Sequence, residues 1–466
     1  MKIKFQNIIL FFSMLLLVSA CNEDFLDVDS TDALEAADSE TVTPEQMVNG
    51  VYGELTDWPY AFSYLGITEI ISDNADKGSS PSDTGSDKDV LDNLTFTSSA
   101  GSLLDMWTIW YKSIGRATTA INYTENYGLT DDSYKNRLIG EAKFLRALNY
   151  FWLVRSFGDV PIQSVDITVR QPKADVYALI EKDLLDAINV LPLKSDYASK
   201  DLGRATKGAA QALLAKVYMY EEKWQDSYDM ANNVINSAQY GLEADYATLW
   251  RASTENGIES IFEVQARGES IAHGVQQYSQ TQGVRGQFGW GFNVPSQDLL
   301  DAFNAAGDDI RRDATIIFPG ETLWDGTTII SNPENPMYNQ KAYSSANGGA
   351  SDTDKNIRVI RYAEVLLIKS EAAFHLGLDA ATPLNQVRER VNLTDIANPT
   401  LQDIWNERRL ELAFEHDRWF DLVRTGQAKD AMAVDGKTFV TGKHELFPIP
   451  NNQLNQTPEM TQNPGY

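Results

Sequence analysis

The sequence is short of the residues that carry most enzyme chemistry. Its 466 residues include one cysteine and four histidines. A single cysteine excludes an internal disulfide framework and any multi-cysteine metal site. His273, His375, His416 and His444 form no HExxH and no pair at short metal-ligand spacing. No GxSxG elbow, P-loop or GxGxxG is present. Gly289-Trp290-Gly291 lacks the third glycine, and its central tryptophan would obstruct a phosphate cradle. Basic residues are scarce too: 39 Lys and Arg face 66 Asp and Glu, a net charge of −27. That balance argues against nucleic acid, which needs a basic footprint, and disfavours polyanionic ligands. Beyond residue 20 no run is apolar enough to span a bilayer, which takes about 20 residues. What is present is ample core material, with 43% hydrophobic residues. The length admits two or three domains or one large one.

The N-terminus reads as an export signal over residues 1–20. Lys2 and Lys4 make a short basic region, and Ile8 to Val18 is an apolar run of 11 residues, too short to span. It ends in Val18-Ser19-Ala20-Cys21, which resembles a bacterial lipobox and makes Cys21 the lipidation residue. Acylation there anchors the chain on a membrane without spanning it. Removing residues 1–20 takes away two lysines and no acid, which carries the net charge to near −29. The acids of Asn22-Glu23-Asp24-Phe25 resemble the surface-export signal of Bacteroidetes lipoproteins, which implies the outer membrane, facing the cell exterior. Residues 21–42 read as a lipidated tether.

Helical periodicity then dominates, so the fold class is mainly α. Phe144, Leu145, Leu148, Phe151 and Trp152 make a broad apolar stripe, stopped by Gly158 and Pro161. Residues 205–221 and 224–237 read as two helices joined at Glu222-Lys223. Ala215, Tyr218 and Ser227 fit the small–aromatic–small spacing of a tetratricopeptide unit, with Ser where Ala is usual. Arg358–Leu376 and Leu401–Arg424 are predicted as further helices. Residues 239–357 are rich in Gly, Asn, Ser and aromatics, with short strands predicted at Ile258–Val264 and Thr327–Ile330. The expected organisation is one domain, 43–466: a helical scaffold over 43–238 and 358–466, and a loop-rich variable region over 239–357.

Several segments then resemble the SusD/RagB family of outer-membrane lipoproteins. They are GEAKFLRALNYFWLVRSFGDVP (Gly140–Pro161), LGRATKGAAQALLAKVYMY (Leu202–Tyr220), ESIFEV (Glu259–Val264), IRVIRYAEVLLIKSEAAFHLG (Ile357–Gly377), ERRLELAFEHDRWFDLVRTG (Glu407–Gly426), and the terminal LFPIP and QNPGY. One departure is His416-Asp417, where the family more often has Gly-His. The resemblance implies a SusD-like helical scaffold with tetratricopeptide-like helix pairs and an irregular ligand-binding region. It also implies a non-enzymatic role: capture of oligosaccharide or polysaccharide and delivery to a SusC-like TonB-dependent transporter. The alternative from the same family is the peptide-binding lid of a RagA/RagB-type importer. The strongly acidic chain would repel acidic glycans at low salt, which favours a neutral glucan such as a β-1,3-glucan.

A sugar site needs flat aromatic platforms and polar side chains on loops that core packing does not claim. Trp58, Trp290 and Trp324 satisfy this, with Tyr60, Tyr278 and Tyr338 behind them. Asp73, Asn74 and Asp76 could bind hydroxyls, or equally cap a helix or pin a turn. Trp107, Trp110, Trp152, Trp224, Trp405 and Trp419 lie on periodic helices and are assigned to packing. Glu407, Glu411 and Glu415, four apart, are assigned with Arg408, Arg409 and Arg418 to an ion-pair network, not to a catalytic carboxylate pair. No cofactor is implied. Asp83, Asp87 and Asp89 could ligate a structural calcium, although their spacing is not that of an EF-hand.

Overall fold

The computed structural model describes residues 42–83, 85–268, 274–344 and 353–466. Cys21, the signal segment and most of the tether lie outside the described residues, as does His273. Helix α1 (Pro44–Glu54) opens on a capping box between Thr43 and Gln46. The long helices α2 (Gly101–Asn126) and α3 (Asp132–Phe157) follow, then α4 (Lys173–Val190), α5 (Lys207–Tyr220) and α6 (Trp224–Asn236). After an irregular stretch containing α7 (Gln297–Ala306) come α8 (Tyr362–Leu376), α9 (Ala381–Arg390), α10 (Leu401–Glu411) and α11 (Arg418–Arg424). Each helix packs on its neighbour in the chain from α2 to α6. Helix α8 then packs on α6 and carries α9 and α10. The array is therefore continuous across the insertion.

The α5–α6 hairpin shows why the tetratricopeptide-like pattern tolerates a serine. Ser227 is fully buried, and its hydroxyl donates to the Ala215 carbonyl at 2.9 Å, so the polar atom is satisfied inside the contact. Glu222 makes the tight turn at φ 57°. Trp224 stacks on His375 of α8, with ring centroids 3.8 Å apart and planes 9° apart. Trp107, Trp110, Trp152 and Trp419 are buried core residues, whereas Trp405 is half-buried and donates to Glu371 at 3.1 Å.

Strands are short. They are β1 (Ala75–Gly78), β2 (Val160–Ile162), β3 (Asp166–Gln171), β4 (Ser260–Val264), β5 (Phe292–Pro295), β6 (Ile316–Ile317), β7 (Tyr338–Asn339) and β8 (Ile357–Arg361). They pair antiparallel as β1–β5, β2–β3, β4–β8 and β6–β7. Three expectations change here. The helix expected from Arg358 begins only at Tyr362, because Ile357, Val359 and Ile360 are β-branched and serve β8, which runs through the core against β4. The strand expected at Thr327–Ile330 is reduced to a single bridge, Thr322 with Thr328. The helix expected over Leu401–Arg424 breaks after Glu411, where Phe414 (φ 63°) and His416 (φ 71°) take left-handed conformations. His416 stands where the resembled family more often has glycine, the residue best suited to such a backbone.

Burial of charge explains the break. Glu411 accepts from Arg311 at 2.8 Å, from Arg361 at 2.5 Å and from Arg390. Glu259 accepts from Arg361 and Arg390 at 2.7 Å each, Glu415 from Lys341 at 2.8 Å, and Glu407 from Arg388 at 2.7 Å, with Arg311 in ion-pair contact with Glu407 at 2.6 Å. The acids do form a network, but not with the neighbouring arginines named from spacing. Arg408 turns to Asp421 and Glu364, Arg409 to Asn74 and Asp298, and Arg418 to Asp73. Breaking the helix lets Glu415 and Asp417 reach different clusters. Asp417 meets Arg155 at 2.8 Å and Lys216 at 2.5 Å. Burial alone would raise the Glu411 carboxyl. The guanidiniums of Arg390, Arg361 and Arg311 outweigh it and hold the group well below the usual carboxylate range.

Glu69 has no such partner. Among the described residues its carboxylate accepts only the His416 backbone N–H, and burial pushes it up to about 8. The His416 ring sits between Thr68 Oγ1 (2.9 Å) and Tyr278 OH (3.1 Å), and burial pushes it down to about 3, so it stays neutral.

Two outcomes follow from these groups. Glu411→Ala leaves three buried guanidiniums short of their shared counter-charge and should cost about 3–5 kcal/mol in urea unfolding. Removal of the exposed Lys182–Asp186 pair should cost under about 1 kcal/mol. Glu69 holds its proton in the folded state over a pH range where the unfolded chain has lost it, so folding weakens as pH rises from about 4.5 to about 8. Glu69→Gln, which keeps an acceptor for His416 N–H, should therefore gain stability over the natural chain between pH 5 and pH 8. A pH-independent difference in melting temperature would contradict this.

Candidate functional site

The short turn Trp58–Ala61 follows α1. Asp57 fixes its start by accepting the Trp58 N–H at 2.7 Å, and Pro59 stiffens it. Trp58 is half-buried. Its ring meets Trp290 edge-on at 6.0 Å and Phe62 at 5.9 Å, and Phe62 in turn meets Phe292 of β5 at 4.9 Å. Two tryptophans separated by more than two hundred residues thus form one aromatic ledge.

The loop that delivers Trp290 is tightly built. Gly289 lies so close to Gly283 that a side chain would enter the opposing backbone, which explains the glycine before the tryptophan. Trp290 N–H donates to the Gln280 carbonyl at 2.8 Å. Arg285 ties the Trp290 carbonyl (3.1 Å) to Ser79 Oγ (2.7 Å) beside β1. Two residues earlier, Phe288 packs on Tyr343 at 5.1 Å, and Tyr343 meets Trp324 edge-on at 6.2 Å. Trp324 is 43% exposed on the turn closed by Gly326 N–H to the Leu323 carbonyl. The Arg251 guanidinium lies 4.8 Å from its ring centroid. Tyr343 OH donates to Asp325 at 2.6 Å and anchors that turn. Ring contacts and one short loop therefore link Trp58, Trp290 and Trp324.

Phe62, Phe288, Tyr343 and Arg251 were not named from the sequence. Phe288 had a signal, since it sits in the same glycine-rich loop as Trp290. Arg251 had none, because only the folded chain brings it to Trp324.

The structure removes five named candidates from any ligand-facing role. Tyr60 is 2% exposed, packed on Tyr64 and Trp152. Tyr278 is buried with its hydroxyl on His416 Nε2, and Tyr338 is fully buried with its hydroxyl accepting Asn335 N–H at 3.1 Å. Asp73 is clamped by Arg418 at 2.7 and 2.5 Å, and Asn74 Oδ1 accepts from Arg409 at 2.8 Å. Aromatic and polar residues next to loop glycines look alike in sequence whether they face inward or outward. Asp76 is half-buried. Burial and the neighbouring Asp92 charge lift its carboxyl to about 6.

The three acids considered for calcium are engaged by cations and loop amides. Asp83 accepts from Ser80 and Gly85 N–H and lies 3.4 Å from Lys77; Asp89 pairs with Lys77 at 3.1 Å and Asp87 with Lys88 at 2.9 Å. Among the described residues no group of three or more His, Cys, Asp or Glu is arranged to hold a metal ion. No helix among them is long and apolar enough to cross a membrane. The chemistry the aromatic ledge offers is stacking: flat, partly dry ring faces that suit the C–H faces of a sugar.

Comparison with known proteins places this geometry. Residues 258–466 match the model of the SusD family, and residues 24–219 match that of a family described as starch-binding associating with the outer membrane. SusD-like protein P2 of Formosa agariphila is 29% identical to the chain, covering 91% of this chain and 93% of its own. A solved laminarin-binding SusD-like protein superposes with a TM-score of 0.79 at 29% identity, over 91% of this chain and 99% of that one. Surface glycan-binding protein A from Bacteroides fluxus gives a TM-score of 0.80 at 25% identity, over 91% and 99%. The two matched segments account for most of the chain from Asp24 to its end, and the helical array is that of the solved relatives: the chain belongs to the SusD/RagB family.

Proposed function

We propose that this chain is a cell-surface glycan-binding lipoprotein. It captures a neutral glucan of the β-1,3 type on the ledge of Trp58, Trp290 and Trp324 and passes it to a SusC-like TonB-dependent transporter. The observation that carries this reading is the Trp58–Trp290 contact at 6.0 Å, made by two half-buried indoles on loops. A half-open indole pair braced by neighbouring rings is what a sugar-stacking surface requires. The solved relatives described as laminarin-binding and as surface glycan-binding support the ligand class.

The solved relatives described as glycan-binding support binding without cleavage. Outer-membrane association of the matched family supports anchoring through Cys21 and a transporter partner. The net charge of −27 supports a neutral ligand over an acidic one.

Retardation of residues 22–466 in gels containing laminarin, followed by calorimetry, tests the reading. Binding without release of reducing ends is expected. Trp290→Ala and Trp58→Ala should each weaken it about tenfold or more, a loss of at least about 1.4 kcal/mol. Affinity should change little between low and high salt, because no charge pairing is involved. Unchanged affinity in both tryptophan variants would remove the ledge as the site. Enrichment of peptides with no glycan retarded would move the protein to the peptide-importing branch.

A further inference from the structure

A concavity lies beside the segment Leu55–Thr56 that leads from α1 to Trp58. It has a volume of about 290 Å³, between α1, the loop Lys200–Arg204 and the end of β4. That is near the small end of ligand-pocket sizes, about 300–1,000 Å³. Three other cavities offer about 20 Å³ each, room for about one water.

The walls of this cleft are fixed before any ligand arrives. Tyr52 OH donates to Glu141 at 3.0 Å and accepts Ala205 N–H at 2.8 Å. Arg204 spans Glu45, Glu141 and Asp201 at 3.0 Å each. Gly203, at φ +95°, lies against the Gln265 side chain, where a Cβ would collide. The Gln265 amide is held by a two-way exchange with Asn256 at 2.8 and 3.1 Å. A preformed site loses less ordering entropy on binding.

Its chemistry suits an uncharged polyhydroxyl compound. Lys200 and Arg204 are balanced by Asp201 and Glu263, so the lining carries no net charge to select an ion. Asn49 and Lys200 are exposed at the mouth, Leu55 is buried below, and Leu202 is 43% exposed, which pairs amide and ammonium groups with apolar surface. Its position ties it to the ledge. Thr56 lines the cleft, Trp58 follows two residues later, and the Thr56 carbonyl accepts Val275 N–H at 3.0 Å. Val275 leads into the segment whose Gln280 carbonyl holds Trp290.

We infer that this cleft is a second glycan subsite, taking one neutral hexose unit at an end of the chain whose other units lie on the tryptophans. The inference rests on the glycan-binding reading above. It predicts a dependence on ligand length that the tryptophan ledge alone does not.

The test is calorimetry of the mature protein with laminari-oligosaccharides of two to six units. Asn49→Trp, at an exposed position of α1, fills the cleft, and Leu202→Ala trims its wall. The natural chain should gain affinity with each added unit. Asn49→Trp should bind the trisaccharide as the natural chain does and lose about tenfold on the hexasaccharide. Leu202→Ala should show a smaller loss of the same pattern, and it decides the matter if Asn49→Trp fails to fold. Trp290→Ala should weaken every length. Hexasaccharide binding unchanged in both cleft variants, or weakened equally at all lengths, would overturn the subsite while leaving the ledge intact. No binding of any oligosaccharide by the natural chain would overturn both.

Discussion

The structure turns on the burial of one carboxylate among three guanidiniums. Glu411 ends α10, and its partners come from three other places: Arg311 after α7, Arg361 at the end of β8 and Arg390 at the end of α9. Each arginine is needed elsewhere as well. Arg311 also serves Glu407, and Arg361 and Arg390 share Glu259 beside β4. A single buried pair is weak support for stability, since desolvation opposes the attraction. A shared network is different in consequence, because moving any one element strands several charges at once. The irregular insertion is thereby bound to the helical array through charge, although few of its own elements are long enough to stand alone.

That binding matters for the loops the insertion carries. An aromatic side chain on a free loop would have to be ordered each time a ligand arrived, and that cost would come out of the affinity. Here Trp290 is held through Gln280 and Arg285, and Trp324 through the Tyr343–Asp325 contact and the Arg251 guanidinium. Arg285 reaches Ser79 beside β1, and β1 pairs with β5. The route from scaffold to platform is short and made of directional contacts. The same loops keep rings half-open, which the core would otherwise have closed.

How much of this was legible in the sequence depended on the range of the interaction. The helices of the array were readable because their apolar stripes are local, and the tryptophans on those stripes packed as periodicity required. The failures share a cause. Ile357–Arg361 has the composition of a helix start or a strand, and only β4, nearly a hundred residues earlier, decides between them. Glu411 and Glu415 each have an arginine three residues away, Arg408 and Arg418, yet the chosen partners come from other segments, because a buried acid needs several donors converging from different directions. Tyr278 and Tyr338 looked like loop aromatics, and each instead spends its hydroxyl on an internal partner. Inward and outward loop positions have no local signature.

The acidic surface and the neutral interior of the cleft fit one another physically. A chain carrying −27 repels anions at long range and attracts cations, so a charged ligand would be selected by the whole surface before it met the site. A neutral glucan is indifferent to that field. Its capture must come from short-range terms: stacking on indoles, and hydroxyls exchanged from water to side chains. Each term is small, because hydrogen bonds made in the site replace hydrogen bonds to water. Affinity for such a ligand therefore grows by adding contacts along its length, not by strengthening any one. On the proposed reading, the ledge of separate aromatics and the polar cleft distribute the contacts in that way. Among the described residues, the charges lining the cleft sum to zero, with Arg204 paired to Asp201 within it and Glu263 held by Arg358 behind it.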